Sequence, residues 1–266
     1  MRGGEVRRSV SFDRAAEIYD QTRGFPPGIP QAVVSPLRDR LPSQDKVLEI
    51  GVGTGRIARP LRASGIPVVG IDLSRKMLAR FVETEAGDRG FLGLVEGDAV
   101  YLPFANQSFA TIVAVHVFHL VGDLQTCVES VLRVLSRPGM IAMGWQWHPP
   151  DSAPARVRVQ WRSIVQAHGV DLSGPGLRGM GPAAQLLQAH ALHSEEAVAA
   201  EWDVSRSPSE IVDEIGRRAH SSAWAVPDEI FPQCYEELVA WAREAIPHWD
   251  QPRADLRRFV WRFFWI

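Results

Sequence analysis

Residues 47–58 read Val47-Leu48-Glu49-Ile50-Gly51-Val52-Gly53-Thr54-Gly55-Arg56-Ile57-Ala58, and they decide the fold. An apolar strand, Lys46 to Ile50, runs into Gly51, Gly53 and Gly55, and a helix is expected at once, over Thr54 to Ala63. Glycines admit positive φ and remove Cβ atoms where a ligand approaches the backbone. A helix start offers N–H groups with no partner in the helix. In a parallel α/β sheet, ligands sit at the carboxyl ends of the strands, where this turn falls. The spacing is G-x-G-x-G. The sixth position from Gly51 is Arg56, so the dinucleotide fingerprint is not met, and the phosphate loop is absent. Glu49 stands two residues before the turn. An acid there is a poor neighbour for a pyrophosphate and a good one for a cation or an amino group.

Working outward, strands are expected at 68–71, 91–95, 110–115 and 140–145, with helices between them over 74–85 and 124–135. Helices over Phe12–Gln21 and 30–41 precede the first strand. Alternating apolar strands and helices imply a parallel sheet covered on both faces. The second strand ends in Asp72 and the third leads to Gly97-Asp98-Ala99. An acid at the end of strand two is placed for ribose hydroxyls. One after strand three is placed for an exocyclic amine of adenine, with a backbone N–H for a ring nitrogen. Three acids at successive strand ends suit a ligand with a ribose, an adenine and a positive charge.

These segments resemble a known family. ExGxGxG at 49–55, GIDLSRKML at 70–78, GDAVYLPFANQSF at 97–109 and RVLSRPGMIAMG at 133–144 together look like the class I S-adenosylmethionine-dependent methyltransferases, in particular the ubiquinone/menaquinone-biosynthesis type. The resemblance covers roughly residues 10–147. It implies a Rossmann-like α/β sheet of seven strands, mostly parallel with an antiparallel last strand. It also implies that Glu49, Gly51, Gly53 and Gly55 hold the methionine part of S-adenosylmethionine. Asp72 would bind the ribose, Leu73 and Met77 would lie against the adenosine, and Asp98 and Ala99 would hold the adenine edge. Tyr19 and Arg23 match an N-terminal helix that closes over the cofactor, and His116 a position facing cofactor and substrate. Ala110 replaces an acid common in the family, without loss of a base. The product would be S-adenosylhomocysteine.

Residues 151–266 differ in texture, with all nine tryptophans at or after Trp145. Helices are expected over 153–168, 180–191, 208–220 and 227–246, a strand near 197–205, and a last strand at 256–266 with Phe259, Trp261, Phe263 and Trp265 on one face. The implied division is a core with lid helices over 1–150. Residues 151–266 would add cap insertions, 151–192 and 207–250, and the last two strands. Trp145, Trp147 and Trp224 are candidates for a substrate chamber, although tryptophan more often fills plain core.

The charge balance is 29 Lys+Arg against 31 Asp+Glu, which gives no footprint for nucleic acid. Cys127 and Cys234 make no disulfide framework and have no zinc spacing, which fits a reducing cytoplasm; no metal is expected. No membrane span or signal segment is evident, and nothing indicates an oligomeric state. The function expected is transfer of a methyl group to a small, apolar or aromatic acceptor by in-line displacement. His116 and His148 are candidates for a base where the acceptor must lose a proton. Two alternatives stand beside it. One is a non-catalytic sensor or activator that binds the same cofactor; the other is a nicotinamide-dependent oxidoreductase, against which Arg56 counts.

Overall fold

The structure is a computed structural model that describes residues 8–17, 19–41, 46–84 and 91–266. One seven-stranded sheet has the order β3-β2-β1-β4-β5-β7-β6. Its strands are β1 (Val47–Ile50), β2 (Val68–Asp72), β3 (Phe91–Glu96), β4 (Phe109–Val115), β5 (Leu135–Trp147), β6 (His193–Arg206) and β7 (Arg253–Trp265). β1 is parallel to β2 and β4, β2 to β3, and β4 to β5. Gly139 and Ile266 exchange N–H···O bonds of 3.3 and 2.9 Å, the reciprocal pattern of an antiparallel neighbour, so β7 runs against β5. The mostly parallel sheet with one antiparallel strand is the expected architecture. All four β1 residues are buried, as a strand covered on both faces requires.

The chain packs as two units. The first comprises residues 1–145, 179–200 and 259–266. Its helices are α1 (Tyr19–Arg23), α2 (Ile29–Arg38), α3 (Ala58–Ala63), α4 (Arg75–Thr84), α5 (Leu124–Val134) and α7 (Gly181–Gln188). Leu48, Ile50, Ile112, Val128, Val131 and Phe264 lie in its main core. Along β7, Phe259, Trp261 and Phe263 follow one another at ring spacings of 5.1 and 6.2 Å, and the Trp261 indole donates to the Val33 carbonyl at 2.7 Å. The aromatic face read from the alternation is therefore core.

The second unit comprises residues 146–178 and 201–258. It contains α6 (Ala153–Ala167), α8 (Pro208–Gly216), α9 (Ser221–Trp224) and α10 (Phe231–Ala245). Val157, Trp161, Val165, Val212, Cys234 and Leu238 are buried together there. Ser207 and Glu210 form a capping box that starts α8.

Three expectations change. The first helix is shorter: residues 13–17 are turns and α1 begins at Tyr19, because Asp13 bonds groups of another loop instead of continuing a helix. The helix after the glycine turn begins at Ala58, since Gly55, with φ 91°, cannot sit inside one. The helix expected within the first cap insertion, α7, instead buries Ala183, Ala184 and Leu187 in the core of the first unit. It carries small apolar residues that fit against α5, which the expected insertion boundaries did not anticipate.

Candidate functional site

The carboxyl ends of β1, β2 and β3 bring the three predicted acids to one edge. Glu49 pairs in register with Gly70 of β2 and Val113 of β4. It is 2 % exposed, and its Oε2 has no hydrogen-bond partner among the described residues. Burial pushes its pKa well above the usual carboxylate range, against the pull of the Arg56 guanidinium. Asp72 accepts the Gly53 N–H at 2.8 Å and the Ser74 N–H at 2.8 Å, so one carboxylate ties the glycine turn to the loop that opens α4. Burial raises its pKa, and those two N–H groups oppose the rise. Asp98 accepts the Val100 N–H at 3.0 Å and caps a single 3-10 turn, Ala99–Tyr101, in which Ala99 is buried.

The turn itself has little room for side chains. A Cβ on Gly53 (φ 55°) would lie 3.1 Å from Met77 Cε, and one on Gly55 would fall onto the Phe81 ring. Met77 is buried under the turn, its N–H bonded to Ser74 Oγ at 3.2 Å; Leu73, beside it in the loop, is half-buried. Glycines at 53 and 55 therefore let Met77 and the Phe81 ring pack directly against the backbone of the turn, whose Gly53 N–H is held by Asp72.

The residues before β1 form a strap across the same edge. Val10 N–H donates to the Leu120 carbonyl at 2.9 Å, and Ser9 Oγ accepts the Gly122 N–H at 2.9 Å, both in the loop after β4. Asp13 accepts Ser74 Oγ–H at 2.6 Å and the Lys76 N–H at 3.2 Å, after β2; the Ser74 bond is the main cause of its lowered pKa. Thr54 Oγ donates to Asp20 at 2.5 Å, and Arg56 donates to the Arg23 carbonyl at 2.7 Å while its guanidinium lies over the Phe25 ring. Tyr19 is half-buried against Phe12, ring centroids 5.9 Å apart. Tyr19 and Arg23 both lie on this strap. Asp13, Asp20, Thr54 and Ser74, which fasten it, were not singled out from the sequence. Asp13 and Asp20 sit seven residues apart in one polar segment, but their partners lie in loops 34 to 61 residues on.

His116 follows β4, donates its N–H to the Gly144 carbonyl at 3.3 Å and is half-buried, its ring 6.4 Å from that of His119. His148 belongs to the second unit. It is buried, with Nδ1 3.6 Å from Asp255 Oδ2 and Nε2 3.1 Å from an Arg158 guanidinium nitrogen. Burial lowers its pKa, and Arg158 and Arg257 lower it further against Asp255. Arg257 is 16 % exposed and bonds Asp255 at 3.3 Å. A second ionic group in this unit is Glu214 with Arg206 at 2.7 Å and His220 at 3.0 Å. The signal for Asp255 and Arg257 was their phase: both alternate with Phe259 and Trp261, which puts charge on the buried side of a strand. The three candidate chamber tryptophans each have local partners. Trp145 packs on the first unit's core, Trp147 lies 4.8 Å under the Arg258 guanidinium, and the Trp224 indole donates to the Arg218 carbonyl.

Among the described residues, no group of His, Cys, Asp and Glu could hold a metal, and no helix is long and apolar enough to cross a membrane. Cys127 and Cys234 are both buried and unbridged.

Comparison with known proteins identifies a related domain. Residues 48–143 match the family described as "Methyltransferase domain". The chain is similar to malonyl-[acyl-carrier protein] O-methyltransferase of Enterobacter lignolyticus, 29 % identical over 64 % of this chain and 68 % of that protein. It is also similar to demethylmenaquinone methyltransferase of Thermotoga maritima, 32 % identical over 53 % of this chain and 63 % of that one. The chain thus spans about two thirds of the length of each of these relatives. Among solved structures, an S-adenosylmethionine-dependent methyltransferase from Thermotoga maritima, described as a possible histamine N-methyltransferase, superposes with a TM-score of 0.52. It is 16 % identical, with 96 % of this chain and 97 % of that chain covered, which supports the shared fold. The sheet order, the glycine turn and the matched domain together support a class I methyltransferase, a family whose cofactor is S-adenosylmethionine.

Proposed function

We propose that the protein methylates a small-molecule acceptor, with the cofactor held at the carboxyl edge of β1–β3. The observation that carries this reading is the set Glu49, Asp72 and Asp98 at three adjacent strand ends around a turn stripped of side chains. The partnerless Oε2 of Glu49 suits the amino group of the methionine part. The Asp72 carboxylate suits the ribose hydroxyls, Leu73 and Met77 the adenosine, and Asp98 with the Ala99 N–H the adenine edge. Gly51, Gly53 and Gly55 give the cofactor close approach to the backbone. Tyr19 and Arg23 ride on the strap, which would shield the site from water.

When bound, S-adenosylmethionine supplies an electrophilic methyl group on a sulfonium. The leaving group is neutral, so the protein's task is to align the acceptor and exclude water. A base is needed only for an acceptor that must lose a proton, and His116 and His148 are the candidates. Acceptors named for the relatives, malonyl-[acyl-carrier protein] and demethylmenaquinone, differ in size and chemistry. The aromatic content of the C-terminal half supports an apolar or aromatic acceptor. The buried, unbridged cysteines support a reducing, cytoplasmic setting.

Calorimetric titration with S-adenosylmethionine, S-adenosylhomocysteine and NADH tests the reading. Micromolar binding of both sulfur ligands without NADH is expected, and a labelled-methyl acceptor screen follows. Silence with both sulfur ligands would sink the proposal. Binding with no transfer to any acceptor would favour a sensor or activator. Removal of residues 1–28 is expected to weaken cofactor affinity; unchanged affinity would remove the strap from the site.

A further inference from the structure

Glu49 stands one residue before the end of β1, 2 % exposed, and its Oε2 has no hydrogen-bond partner among the described residues. The carboxyl accepts the N–H of Ala58, the first residue of α3, so it sits where the glycine turn becomes helix. Asp72, the next acid along the edge, acts on it electrostatically. The two acids are supported unequally. Asp72 accepts the N–H groups of Gly53 and Ser74, both at 2.8 Å, and that of Leu73 as well. Among the described residues, Glu49 has one N–H for two oxygens. Arg56, the cation that acts on Glu49, is held by the strap: it donates to the Arg23 carbonyl and lies over Phe25. Of two neighbouring buried acids, the one with fewer donors is the one that keeps a proton. Asp72 is thus the ionised member and Glu49 the protonated one.

We propose that Glu49 holds a proton in the ligand-free protein and releases it when an α-ammonium group reaches Oε2, which makes Glu49 the residue that selects amino-bearing ligands at this edge. The inference rests on the cofactor reading and goes beyond it by assigning a charge state and a proton to the binding step. In that step the Glu49 O–H bond breaks, the oxygen keeps the electron pair and the proton passes to solvent. The ammonium takes its place as the positive partner of the carboxylate. A carboxylate without that partner is costly at this burial, so a ligand with the same adenosine and no amino group leaves the proton where it is. The charged groups facing Glu49 are Arg56 from the turn and Asp72 from β2, and Asp13 of the strap acts on Asp72. The free protein holds more protons than the complex. Affinity for an amino-bearing ligand therefore rises with pH until Glu49 of the free protein ionises.

The test is calorimetry of S-adenosylhomocysteine binding to the full chain near pH 6, in buffers of different ionisation enthalpy, which counts protons. At that pH the ligand's own α-amine is already charged and contributes none. Wild type is expected to release about one proton and to bind about tenfold tighter per pH unit between about pH 5 and 6. Any heat from methylthioadenosine, which lacks the amino-acid part, should not depend on the buffer. Glu49→Gln should release no proton with S-adenosylhomocysteine and should lose the pH slope. The infrared difference between ligand-free wild type and Glu49→Gln should show the carbonyl band of a protonated carboxyl, and S-adenosylhomocysteine should remove that band from wild type. Binding without proton release in wild type, release that persists in Glu49→Gln, or absence of the infrared band would overturn the proposal. Equal release with methylthioadenosine would overturn the selectivity. Should Glu49→Gln not fold, the wild-type proton counts with the two ligands still decide. Failure of both S-adenosylmethionine and S-adenosylhomocysteine to bind would strike the cofactor reading, whereas the infrared band of the ligand-free chain reads the Glu49 proton independently.

Discussion

The two units handle charge in opposite ways. In the first, the acids at the sheet edge bond backbone N–H groups of their own or adjoining loops: Asp72 with Gly53 and Ser74, Asp98 with Val100. In the second, charged side chains bond one another: His148 with Arg158, Asp255 with Arg257, Glu214 with Arg206 and His220. A carboxylate that holds backbone shapes a surface for something else to bind. A carboxylate that holds another ionisable group sets that group's protonation. Changes in the first unit should therefore appear as lost ligand affinity, and changes in the second as altered pH dependence.

The sharpest break of this comparison is Gly55→Ala. Its φ of 91° and the Phe81 ring leave no place for a methyl group. A loss of about 2–4 kcal/mol in urea unfolding is expected, with loss of cofactor binding. Native stability would show that the turn relaxes freely. Asp72→Ala should come next, weakening S-adenosylmethionine about 100-fold by calorimetry, the scale of two lost charge-assisted hydrogen bonds, with a smaller effect on unfolding. A larger loss of stability than of affinity would make Asp72 a packing element.

Glu214 tests the other side. Burial works to raise its pKa, but the His220 hydrogen bond and the Arg206 and His220 charges bring it down to about 2. A depressed folded pKa stabilises above the unfolded value and is lost as pH falls towards the folded one. Glu214→Gln should therefore cost on the order of 2 kcal/mol at pH 6, after allowance for screening, less than half of that near pH 3, and little below the folded pKa. Its cofactor affinity should match wild type; a drop there would dissolve the contrast between the units. The smallest effect belongs to Glu195→Gln, which removes the 2.6 Å partner of Arg40 at a half-exposed position. About 0.5 kcal/mol or less is expected in the urea midpoint.

How far each region could be read in advance follows from the same difference. Asp72 and Asp98 were legible because position on the chain places them: Asp72 ends β2, Asp98 follows the end of β3 by two residues, and each bonds an N–H two residues on. The glycine turn was legible for the same reason. The strap was legible only as a helical pattern around Tyr19, because what holds it is tertiary: Asp13 to Ser74, Asp20 to Thr54. In the second unit, His148 was noticed by its place after β5. Its neighbours Arg158 and Asp255 come from ten and more than a hundred residues away, and only the fold introduces them. Helix α7 misled for a related reason, since nothing in its own residues says that its small apolar face meets α5.

One consequence of the sheet order concerns the protein in a crowded solution. β6 is an outermost strand fourteen residues long, and such a strand offers a row of N–H and C=O groups to any other chain. It carries Glu195, Glu196, Glu201 and Asp203, three of them paired to arginines of the same protein: Arg40, Arg262 and Arg258. Two copies meeting along this strand would oppose carboxylates to carboxylates and would have to give up ion pairs already made. The margin of the sheet thus carries charges that disfavour pairing with a second copy of itself.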